Sequence, residues 1–478
     1  MEIKQKEMDK SWWACMIAGG ASSRFFPLNK IMFDPVKCGR TLSQQAVDRL
    51  CGQYAETTVP PLDPKQFIVV TSKAFAPVLA QHIPEIPRDN FIGEPAPRST
   101  LPAILYAMSH VKKVDPNGTM CVVTADHIIS DTQTFRATLE TARQCAQQND
   151  CIVTIGIKPT TKPSDWIGFG AINSVFSSPI EIKDKKYPQY TIYPLRRFEE
   201  KPSVERAAQM IQENESAASS TSSSTPSSSV TSSSSTSLAW TWNAGMFVFR
   251  VPTMEKALQQ FHPSISASYN ALCAASTKEE EEKTFLTFQS KIPNPLNPSA
   301  VVDCSIDYAV MMPLTTETST THSLSACVIS GAFPWFDVGG WSAFRTVAAI
   351  PQDTHSNIRF GNALLDGATK RCICVAEEGK RKIQLNVQNI DNHVVILSQA
   401  GTLVIIPDEI SQRLKQLKET ADKSEPGADV FVESEGVEVE REAGAECRVC
   451  VLGISHFKIL VKKDPGSDIE LSVTVDKA

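Results

Sequence analysis

Short apolar runs alternate with helical patterns through roughly the first 200 residues, a spacing typical of α/β proteins. Four runs rich in apolar and β-branched residues predict buried strands: Trp13–Ile17, Gln66–Thr71, Thr119–Thr124 and Cys151–Ile157. Three helical patterns fall between or beside them: Leu42–Leu50, Pro102–Val111 and Phe135–Gln147. This alternation predicts a mostly parallel sheet with helices on both faces. Ligands bind such sheets at the carboxyl ends of strands, so the loops after Ile17 and Val123 are candidate sites.

The second half of the chain has a different texture. Residues 216–237 are almost all serine and threonine, which predicts a disordered surface loop because such a tract cannot bury a core. The apolar run Met246–Phe249 follows at once, so the loop interrupts a domain. Beyond residue 350, short β-rich segments dominate. We therefore predict an α/β domain over residues 1–349, a β-rich domain over 350–419, and a linker with a small β appendage over 420–478.

Composition argues against nucleic-acid binding, membrane association and secretion. The formal net charge is −6, whereas nucleic-acid binders are usually strongly basic, so no nucleic-acid partner is expected. No apolar run reaches the ~18 residues of a membrane span, so no membrane association is expected. Lysines precede the apolar stretch Trp12–Ala18, but Glu2, Glu7 and Asp9 interrupt them. We therefore interpret this region as a strand and loop rather than a secretion signal.

The thirteen cysteines do not form the pattern of a disulfide framework. Most lie in apolar runs, as Cys121 and Cys151 do, where cysteine behaves as a small buried hydrophobe. This usage predicts a cytoplasmic protein, since the cytosol is reducing. Cys447 and Cys450 have the spacing of zinc ligands, but a second pair is missing and only His456 lies nearby. We interpret them as part of a strand.

The segment Ala18–Lys30, with the sequence AGGASSRFFPLNK, places a run of small residues and then two cations after the first strand. Small residues allow backbone N–H groups to approach phosphate oxygens and form an anion-binding concavity. Arg24 can bind a phosphate with two hydrogen bonds, while Lys30 acts as a point charge. The segment lacks the Gly-Lys-Ser/Thr of a P-loop and the third glycine of the dinucleotide fingerprint. It indicates a phosphate-binding loop of another kind.

Two aspartates are candidate metal ligands. Asp126 follows the strand Thr119–Thr124, and Asp337 stands in the glycine-containing segment PWFDVGGW. Two carboxylates, together with phosphate oxygens and waters, make a typical Mg²⁺ site. Structural alternatives stay open for residues of this type. Asp126 can cap a turn or a helix.

Two further segments carry polar residues after predicted strands. Glu199-Glu200-Lys201-Pro202 follows the strand Tyr190–Pro194, and Asn243-Ala-Gly245 precedes Met246–Phe249. Taken alone, the first is equally an exposed charged turn and the second a simple turn signal. Their order along the chain decides between these interpretations.

A series of motifs occurs in one order: AGGASSRFFPLNK, GEPAPRSTLPAI, VVTADHII, IGIKPTTKPSDWIGFGAI, FEEKP, TWNAGMFVF, CSIDYAVM and FDVGGW. This order resembles the mannose-1-phosphate guanylyltransferase family, from about Trp13 to Lys418. The resemblance implies a Rossmann-like, mostly parallel nucleotidyltransferase domain followed by a smaller β-rich domain that looks like a left-handed β-helix. It also implies the transfer of a guanylyl group from GTP to mannose 1-phosphate, with Mg²⁺ as cofactor and pyrophosphate as the second product.

The resemblance assigns roles to matching positions. Arg24, Lys30 and Asp126 would be catalytic, and Asp126 and Asp337 would hold the metal. The nucleotide would be bound by Ala18, Gly19, Gly20, Ala21, Ser22, Ser23, Arg98, Ser99, Thr100 and Pro102. The sugar phosphate would be bound by Gly168, Glu200, Lys201, Asn243 and Asp307.

The chain departs from the family pattern at a few positions. Ser22 replaces the third loop glycine, Ser99 replaces an asparagine, and the phosphate lysine is either Lys30 or Lys37, of which we prefer Lys30. Two alternative functions stay open: a related transferase using another sugar or nucleotide, and a non-catalytic subunit that binds nucleotide sugars. Bifunctional members of the resembled family add a metal-dependent sugar-phosphate isomerase domain with a cluster of histidines. The last ~60 residues here contain one histidine, His456, so no isomerase activity is expected. A homo-oligomer is compatible with the sequence, which does not fix the oligomeric state.

Overall fold

The computed structural model describes residues 11–20, 22–54, 58–175, 178–221, 240–315, 324–434, 436–442, 445–453, 456–463 and 469–475. The chain divides into two compact units. The first contains the residues up to Gly19, together with Gln44–Ala125 and Ile129–Trp335. The second contains Gly20–Ser43, Asp126–Ile128 and the residues from Phe336 onward. The predicted domains follow chain order, whereas the second unit also takes in two earlier segments.

The strands, in chain order, are β1 (Trp12–Ile17), β2 (Phe67–Ser72), β3 (Phe91–Glu94), β4 (Thr119–Thr124), β5 (His127–Ile129), β6 (Cys151–Ile157), β7 (Gly170–Ser174), β8 (Ile192–Glu200), β9 (Trp240–Arg250), β10 (Lys291–Asn294), β11 (Asn297–Asp303), β12 (Ser325–Ser330), β13 (Trp335–Asp337), β14 (Ile358–Phe360), β15 (Ala363–Leu365), β16 (Ile373–Ala376), β17 (Ile383–Gln388), β18 (His393–Leu397), β19 (Thr402–Pro407), β20 (Val430–Val432), β21 (Val437–Arg441), β22 (Arg448–Leu452), β23 (Phe457–Lys463) and β24 (Ile469–Val475). The α-helices are α1 (Leu42–Cys51), α2 (Ala76–His82), α3 (Thr100–Val114), α4 (Thr132–Gln148), α5 (Val204–Thr221), α6 (Val251–Phe261), α7 (Pro263–Ala274), α8 (Lys278–Phe285), α9 (Met312–Leu314) and α10 (Leu414–Lys423).

The first unit is built on a nine-stranded sheet with the order β3-β2-β1-β4-β9-β6-β12-β8-β7. Its strands run in the same direction except β8 and β9, which are antiparallel to their neighbours. Every residue of β6 is buried, as expected of a strand covered on both faces. The predicted α/β fold with a mostly parallel sheet is confirmed.

Helices cover this sheet with long apolar faces. α3 buries most of its fifteen residues, including Leu105 and Met108, and α4 buries an apolar stripe that includes Leu139 and Cys145. These faces pack on strands whose β-branched residues stand perpendicular to the sheet. The resulting core fixes the carboxyl ends of β1, β3 and β4, where the predicted ligand loops begin.

The second unit contains two sheets with the orders β14-β16-β18-β19-β22-β20 and β15-β17-β24-β23-β21. From β14 to β18, successive strands alternate between the two sheets and stack in parallel. That arrangement is typical of a β-helix-like domain, and the prediction of such a domain is confirmed.

The first of these two sheets is buried on both faces. In β16, Ile373 and Val375 join one apolar cluster, while Cys374 and Ala376 join the other, because side chains alternate between faces. The first cluster also takes in Phe25 and Trp341, which flank two of the predicted site segments. The loop predicted to bind phosphate is thus anchored to this sheet through Phe25.

The terminal strands belong to the same two sheets. β22 pairs with β19, and β24 pairs with β17, so the segment 420–478, predicted as a linker and appendage, continues the β-helix-like sheets. The strands β17 and β19, which precede residue 420, therefore form backbone hydrogen bonds with strands that follow it.

The serine-rich tract is only partly described. Residues 216–221 form the end of α5, so the first part of the tract continues a helix, and the predicted disordered loop over residues 216–237 stays a prediction. Serine lowers helix propensity only slightly relative to other polar residues, which permits this extension. Residues 222–239 lie outside the described part of the chain.

The cysteines are all free thiols, and most are buried. Cys447 and Cys450 belong to two different apolar clusters, and they take part in no metal-ligating group among the described residues. None of the described helices is long and apolar enough to cross a membrane.

Candidate active site

The loop after β1 is held by an aromatic anchor in the second unit. Residues Ser23–Phe25 form a short 3-10 helix, and the Phe25 side chain is almost fully buried. Its ring lies 4.8 Å from the ring of Trp341 and 5.8 Å from that of Phe344, measured between centroids. Aromatic pairs at such separations add to the free energy of burial. This packing holds the backbone beside Arg24 in one place.

Ser22 takes a strained backbone conformation at the start of this helix. Its φ of 46° lies in the left-handed region, which glycine adopts freely and serine does not. The Ser22 hydroxyl donates to Asn29 Oδ1 at 3.2 Å, and the same oxygen accepts from the Ile31 N–H at 3.2 Å. These hydrogen bonds hold the turn despite the strain. Ala21, also predicted to bind nucleotide, lies outside the described residues.

Lys30 is directed at Asp126. Its Nζ lies 2.7 Å from Asp126 Oδ2 and also donates to the carbonyl oxygen of Val338. The Lys30 side chain is only 13% exposed, so this ion pair is shielded from solvent more than a surface pair is. Lys37, the other candidate, places its Nζ over the ring of Phe360 at 5.9 Å. The geometry thus favours Lys30 as the lysine that acts with Asp126.

Asp126, His127 and Asp337 form a group that could hold a metal ion. Each offers one ligand atom, and these atoms all lie within 4.8 Å of one another. The two carboxylates come from the segments Asp126–Ile128 and Phe336 onward, which the pairing of β5 with β13 brings together. Carboxylate oxygens suit Mg²⁺ and Mn²⁺, while an imidazole nitrogen suits ions such as Zn²⁺ and Fe²⁺. The donor set therefore fits a divalent cation.

Arg24 lies beside this group. Gly339 follows Asp337 by two residues, and a Cβ placed on it would lie 3.8 Å from both Arg24 Nη1 and Asp337 Oδ2. The guanidinium is solvent-exposed and so can meet an anionic ligand. Within the second unit, the structure therefore brings together Arg24, Lys30, Asp126 and Asp337.

In the first unit, the end of β1 lies against β2 and β3. The Ala18 N–H donates to the Val70 carbonyl at 2.8 Å, and the Thr71 hydroxyl donates to the Ala18 carbonyl at 2.9 Å. A Cβ placed on Gly19 would lie 2.8 Å from Glu94 Oε2, so a larger residue here would require the Glu94 side chain to shift. Gly19 is thereby placed directly beside a carboxylate at the end of β3.

The predicted nucleotide-binding segment after β3 is held by backbone contacts. Arg98 Nη2 donates to the Leu286 carbonyl at 2.9 Å, and the Thr100 hydroxyl accepts from the Ile306 N–H at 3.2 Å. Ser99 has a φ of 75°, and Pro102 is buried inside α3. Thr100 and Pro102 therefore have evident structural roles, and their predicted contacts with a nucleotide stay predictions.

The predicted sugar-phosphate residues form a second polar cluster in the first unit. Asn243 Nδ2 donates to Asp307 Oδ1 at 3.0 Å, and the Thr154 hydroxyl donates to Asn243 Oδ1 at 2.7 Å. Lys201 Nζ lies 3.6 Å from Glu200 Oε1. This cluster combines two carboxylates, an amide and an ammonium group, which suit the hydroxyl groups and the charge of a sugar phosphate.

Glu200 and Asp307 share an environment that disfavours their charged forms. Burial, and then the neighbouring Asp307 charge, raise the pKa of Glu200 to about 8, while Lys201 opposes the shift. Burial likewise raises the pKa of Asp307, and hydrogen bonds from its own backbone N–H, Ser305 and Asn243 oppose that shift. Because burial raises the pKa of both groups, each carboxyl can hold a proton more readily than an exposed one, and a protonated carboxyl can donate as well as accept a hydrogen bond with a sugar hydroxyl.

The raised pKa of Glu200 makes the stability of the protein depend on pH. The folded pKa exceeds the unfolded value of 4.5, so the stabilising contribution is complete below the unfolded pKa and is lost as pH rises to about 8. Between about pH 5 and pH 8, the unfolding free energy of the wild type should fall on the order of 3 kcal/mol more than that of Glu200→Gln. Urea denaturation at several pH values measures this difference. Glu279→Gln, on the exposed side of α8, is the matched control and should behave as the wild type does; equal slopes for Glu200→Gln and wild type would contradict the assignment.

The sequence did not identify three residues that the structure places beside predicted site residues: Glu94, His127 and Gly170. Glu94 stands in the motif GEPAPRST, but a single glutamate after a strand does not reveal its burial. His127 follows Asp126 directly, and its ring contributes a third potential ligand. Gly170 lies beside Glu200, since a Cβ on it would lie 2.7 Å from Glu200 Oε2, while a Cβ on Gly168 would meet nothing within 4 Å. The predicted contact of Gly168 with the sugar phosphate stays a prediction.

The fold and the polar groups described above are compared here with one class of protein, the nucleotidyl transferases. Residues 14–353, most of the chain, match the family described as Nucleotidyl transferase. The chain belongs to the nucleotidyl transferase family, and the class predicted from the sequence is confirmed.

Individual relatives are more distant. A mannose-1-phosphate guanylyltransferase of Escherichia coli is 26% identical over 411 residues, which cover 84% of this chain and 72% of that protein. The alginate biosynthesis protein AlgA of Pseudomonas putida is 25% identical over 414 residues, covering 85% of this chain and 71% of that protein. A solved structure described as a mannose-1-phosphate geranyltransferase from Thermus thermophilus has a TM-score of 0.62 at 22% identity, over 86% of this chain and 99% of that chain. That structure supports the fold.

Proposed function

We propose that this protein transfers the guanylyl group of GTP to mannose 1-phosphate, giving GDP-mannose and pyrophosphate, with Mg²⁺ as cofactor. The observation that carries the proposal is the group formed by Lys30, Asp126 and Asp337 in a chain of the nucleotidyl transferase family. The names of the relatives from Escherichia coli and Klebsiella pneumoniae, both mannose-1-phosphate guanylyltransferases, support the choice of substrates.

The reaction is an in-line displacement at the α-phosphorus of GTP. A phosphate oxygen of mannose 1-phosphate forms the new P–O bond, and the bond from the α-phosphorus to the α,β-bridging oxygen breaks. Pyrophosphate leaves with that electron pair. The attacking phosphate is already ionised, so no protein group needs to remove a proton.

The chain's own residues neutralise and position charge. Lys30 and Arg24 stabilise the charge that develops on the leaving pyrophosphate, while Asp126, His127 and Asp337 would hold the cation. Bound Mg²⁺ would supply charge neutralisation to the phosphate oxygens. Glu200, Asn243 and Asp307 would orient the mannose hydroxyls, with Lys201 near the sugar phosphate.

A second candidate is a non-catalytic subunit that binds nucleotide sugars. The strained φ values of Ser22 and Ser99 favour it, because the family pattern has glycine and asparagine there, the residues that tolerate positive φ best. The group of Lys30, Asp126 and Asp337 favours the catalytic candidate, since binding a nucleotide sugar does not require a metal site beside a lysine.

Pyrophosphate release over a substrate panel distinguishes these candidates. Purified protein with Mg²⁺ is given each of four ribonucleoside triphosphates with mannose, glucose or fucose 1-phosphate. The proposal expects release with GTP and mannose 1-phosphate well above every other pair. A different preferred pair would indicate a related transferase. Binding of GDP-mannose without release from any pair would indicate the regulatory subunit.

A further inference from the structure

A cavity of about 780 Å³ lies in the first unit, and its lining includes none of the residues proposed to bind GTP, mannose 1-phosphate or the metal. The lining residues come from β7, β8, α5, β9, the turn between β10 and β11, and the segment around α9. Pockets for small organic ligands span roughly 300–1,000 Å³. The cavity is therefore large enough to take a ligand of nucleotide size.

The lining of this cavity is positively charged. It contains three arginines, Arg196, Arg197 and Arg206, and one glutamate, Glu213. The whole chain, by contrast, carries a formal net charge of −6. A concave surface with one sign of charge raises the local concentration of ligands of the opposite sign. The charge of the lining therefore favours an anionic ligand.

A β-bulge places Arg196 and Arg197 in the same cavity. In the pairing of β7 with β8, Asn173 lies opposite Arg197 and Ser174 lies opposite Leu195, so Arg196 is the extra residue. Successive side chains of a regular strand point to opposite faces, and a bulge interrupts this alternation. Both neighbouring arginines can thus line one cavity. Bulges of this kind are frequent beside functional sites, where they redirect a side chain.

Arg206 belongs to the wall of the cavity. Its guanidinium lies 2.9 Å from Glu199 Oε1 and 3.1 Å from Glu213 Oε1, and it stands over the ring of Trp240 at 5.0 Å. The indole N–H of Trp240 donates to the same glutamate, Glu213. These contacts fix Arg206 and both glutamates in place, so the wall is formed before any ligand binds.

The other two arginines have donors to spare. The Arg196 side chain is exposed and forms no ion pair or hydrogen bond with the part of the chain that the structure describes. Arg197 is 56% exposed on its side chain, and its Nε lies 2.9 Å from Glu199 Oε1, the oxygen that Arg206 also contacts. A guanidinium has five N–H donors and can bind a phosphate with two of them. Two neighbouring guanidinium groups therefore suit a ligand with two linked phosphates.

Apolar side chains complete the cavity. Leu296, in the turn between β10 and β11, is 61% exposed, and Phe198 and Met312 also line the cavity. An inorganic phosphate or diphosphate would leave this surface in contact with water. A nucleoside attached to the phosphates would cover it, which is favourable because apolar surface is removed from water.

We propose that this cavity binds a nucleoside diphosphate, with the diphosphate against Arg196 and Arg197 and the nucleoside against Leu296. Such binding is independent of the proposed function, because the cavity includes none of the residues assigned to the transfer reaction. It would give the protein a second nucleotide site in the first unit.

The test is calorimetric titration of the full chain with ADP, without added metal so that the phosphate charge is not masked. ADP is the probe because the proposed transfer reaction uses a guanine nucleotide. The wild type should bind ADP, and the double variant Arg196→Gln, Arg197→Gln should bind it about 100-fold more weakly, about 10-fold for each charged contact removed. Arg88→Gln is the matched control. Arg88 is an exposed arginine before β3, at the opposite edge of the same sheet, and its loss should leave the ADP affinity unchanged.

Inorganic pyrophosphate serves as the second probe, for the apolar part of the cavity. Leu296→Ser should weaken ADP binding about 5-fold and leave pyrophosphate binding unchanged, because pyrophosphate has no apolar group to cover this residue. Thermal unfolding of all these variants should match that of wild type, since the substituted side chains are exposed.

The outcomes separate this site from the transfer reaction. Equal ADP affinity in wild type and the double variant overturns the inference, as does no binding of ADP to wild type up to about 5 mM. Pyrophosphate that binds as tightly as ADP overturns the assignment of a nucleoside diphosphate. Turnover of GTP with mannose 1-phosphate should stay within about twofold of wild type in the double variant. Arginine-dependent ADP binding without any turnover supports the inference and contradicts the proposed function.

Discussion

Asp126→Asn is expected to lower the rate of pyrophosphate release by at least about 100-fold. The amide keeps the size of the side chain but removes the charge that pairs with Lys30 at 2.7 Å and that would bind the cation with Asp337. The measurement is steady-state turnover with GTP, mannose 1-phosphate and Mg²⁺. Binding of Mn²⁺ alone, followed by its electron paramagnetic resonance spectrum, should weaken in parallel.

A matched control separates this effect from a general loss of charge. Asp89→Asn removes an exposed aspartate from the turn before β3 and should leave turnover within about twofold of wild type, since surface substitutions are usually mild. Thermal unfolding of Asp126→Asn should stay close to wild type, because the side chain is 31% exposed. Near-normal turnover of Asp126→Asn would show that this group does not hold the catalytic cation.

Trp341→Ala is expected to destabilise the second unit by about 4 kcal/mol, the usual cost of truncating a fully buried aromatic side chain. Trp341 is 0% exposed, and its ring lies 4.8 Å from Phe25 and 5.6 Å from both Phe33 and Phe344. Removing the indole ring would leave a cavity beside Phe25, and Phe25 would lose a packing partner. Phe25 anchors the loop that carries Arg24. Urea denaturation gives the stability, and turnover should fall in the same variant.

Two companion variants define what this result means. Trp341→Phe keeps an aromatic ring and should lose about 1–2 kcal/mol, since less volume is removed. Phe431→Ala, in the same unit but 45% exposed, should change stability by less than about 0.5 kcal/mol. A loss below about 1 kcal/mol in Trp341→Ala would contradict the expectation that burial of this side chain stabilises the cluster.

The strands and helices of the first unit follow closely from the sequence because their apolar patterns are strong. The run Thr119–Thr124 is predicted and observed with the same limits, and its buried pattern reflects a central strand of the sheet. β8 is different. The predicted strand ended at Pro194, whereas β8 continues to Glu200, because pairing with β7 extends it through charged residues. Tertiary pairing overrides local composition there.

The way distant segments combine could not be predicted from periodicity. Gly20–Ser43 belongs to the second unit because Phe25 and Leu28 pack in its apolar cluster, a contact that chain order does not reveal. The terminal strands likewise join sheets that begin before residue 400. Periodicity identifies which face of a strand is apolar, but not which other segment covers it.

The candidate site was predictable in part. The order of motifs identifies Lys30, Asp126 and Asp337, and the structure brings these three residues together. The burial of Glu94 beside Gly19 could not be found in this way, since it depends on how β3 packs against the end of β1. The positive φ of Ser22 gives a physical reason why glycine suits that position.

The most direct test of the central claim follows the oxygen atoms of the reaction. Mannose 1-phosphate labelled with oxygen-18 at its three non-bridging phosphate oxygens is incubated with GTP, Mg²⁺ and the protein, and the products are analysed by mass spectrometry. Attack on the α-phosphorus predicts GDP-mannose that retains all of the label and pyrophosphate that carries none. Label in the pyrophosphate, or no GDP-mannose at all, would contradict the account.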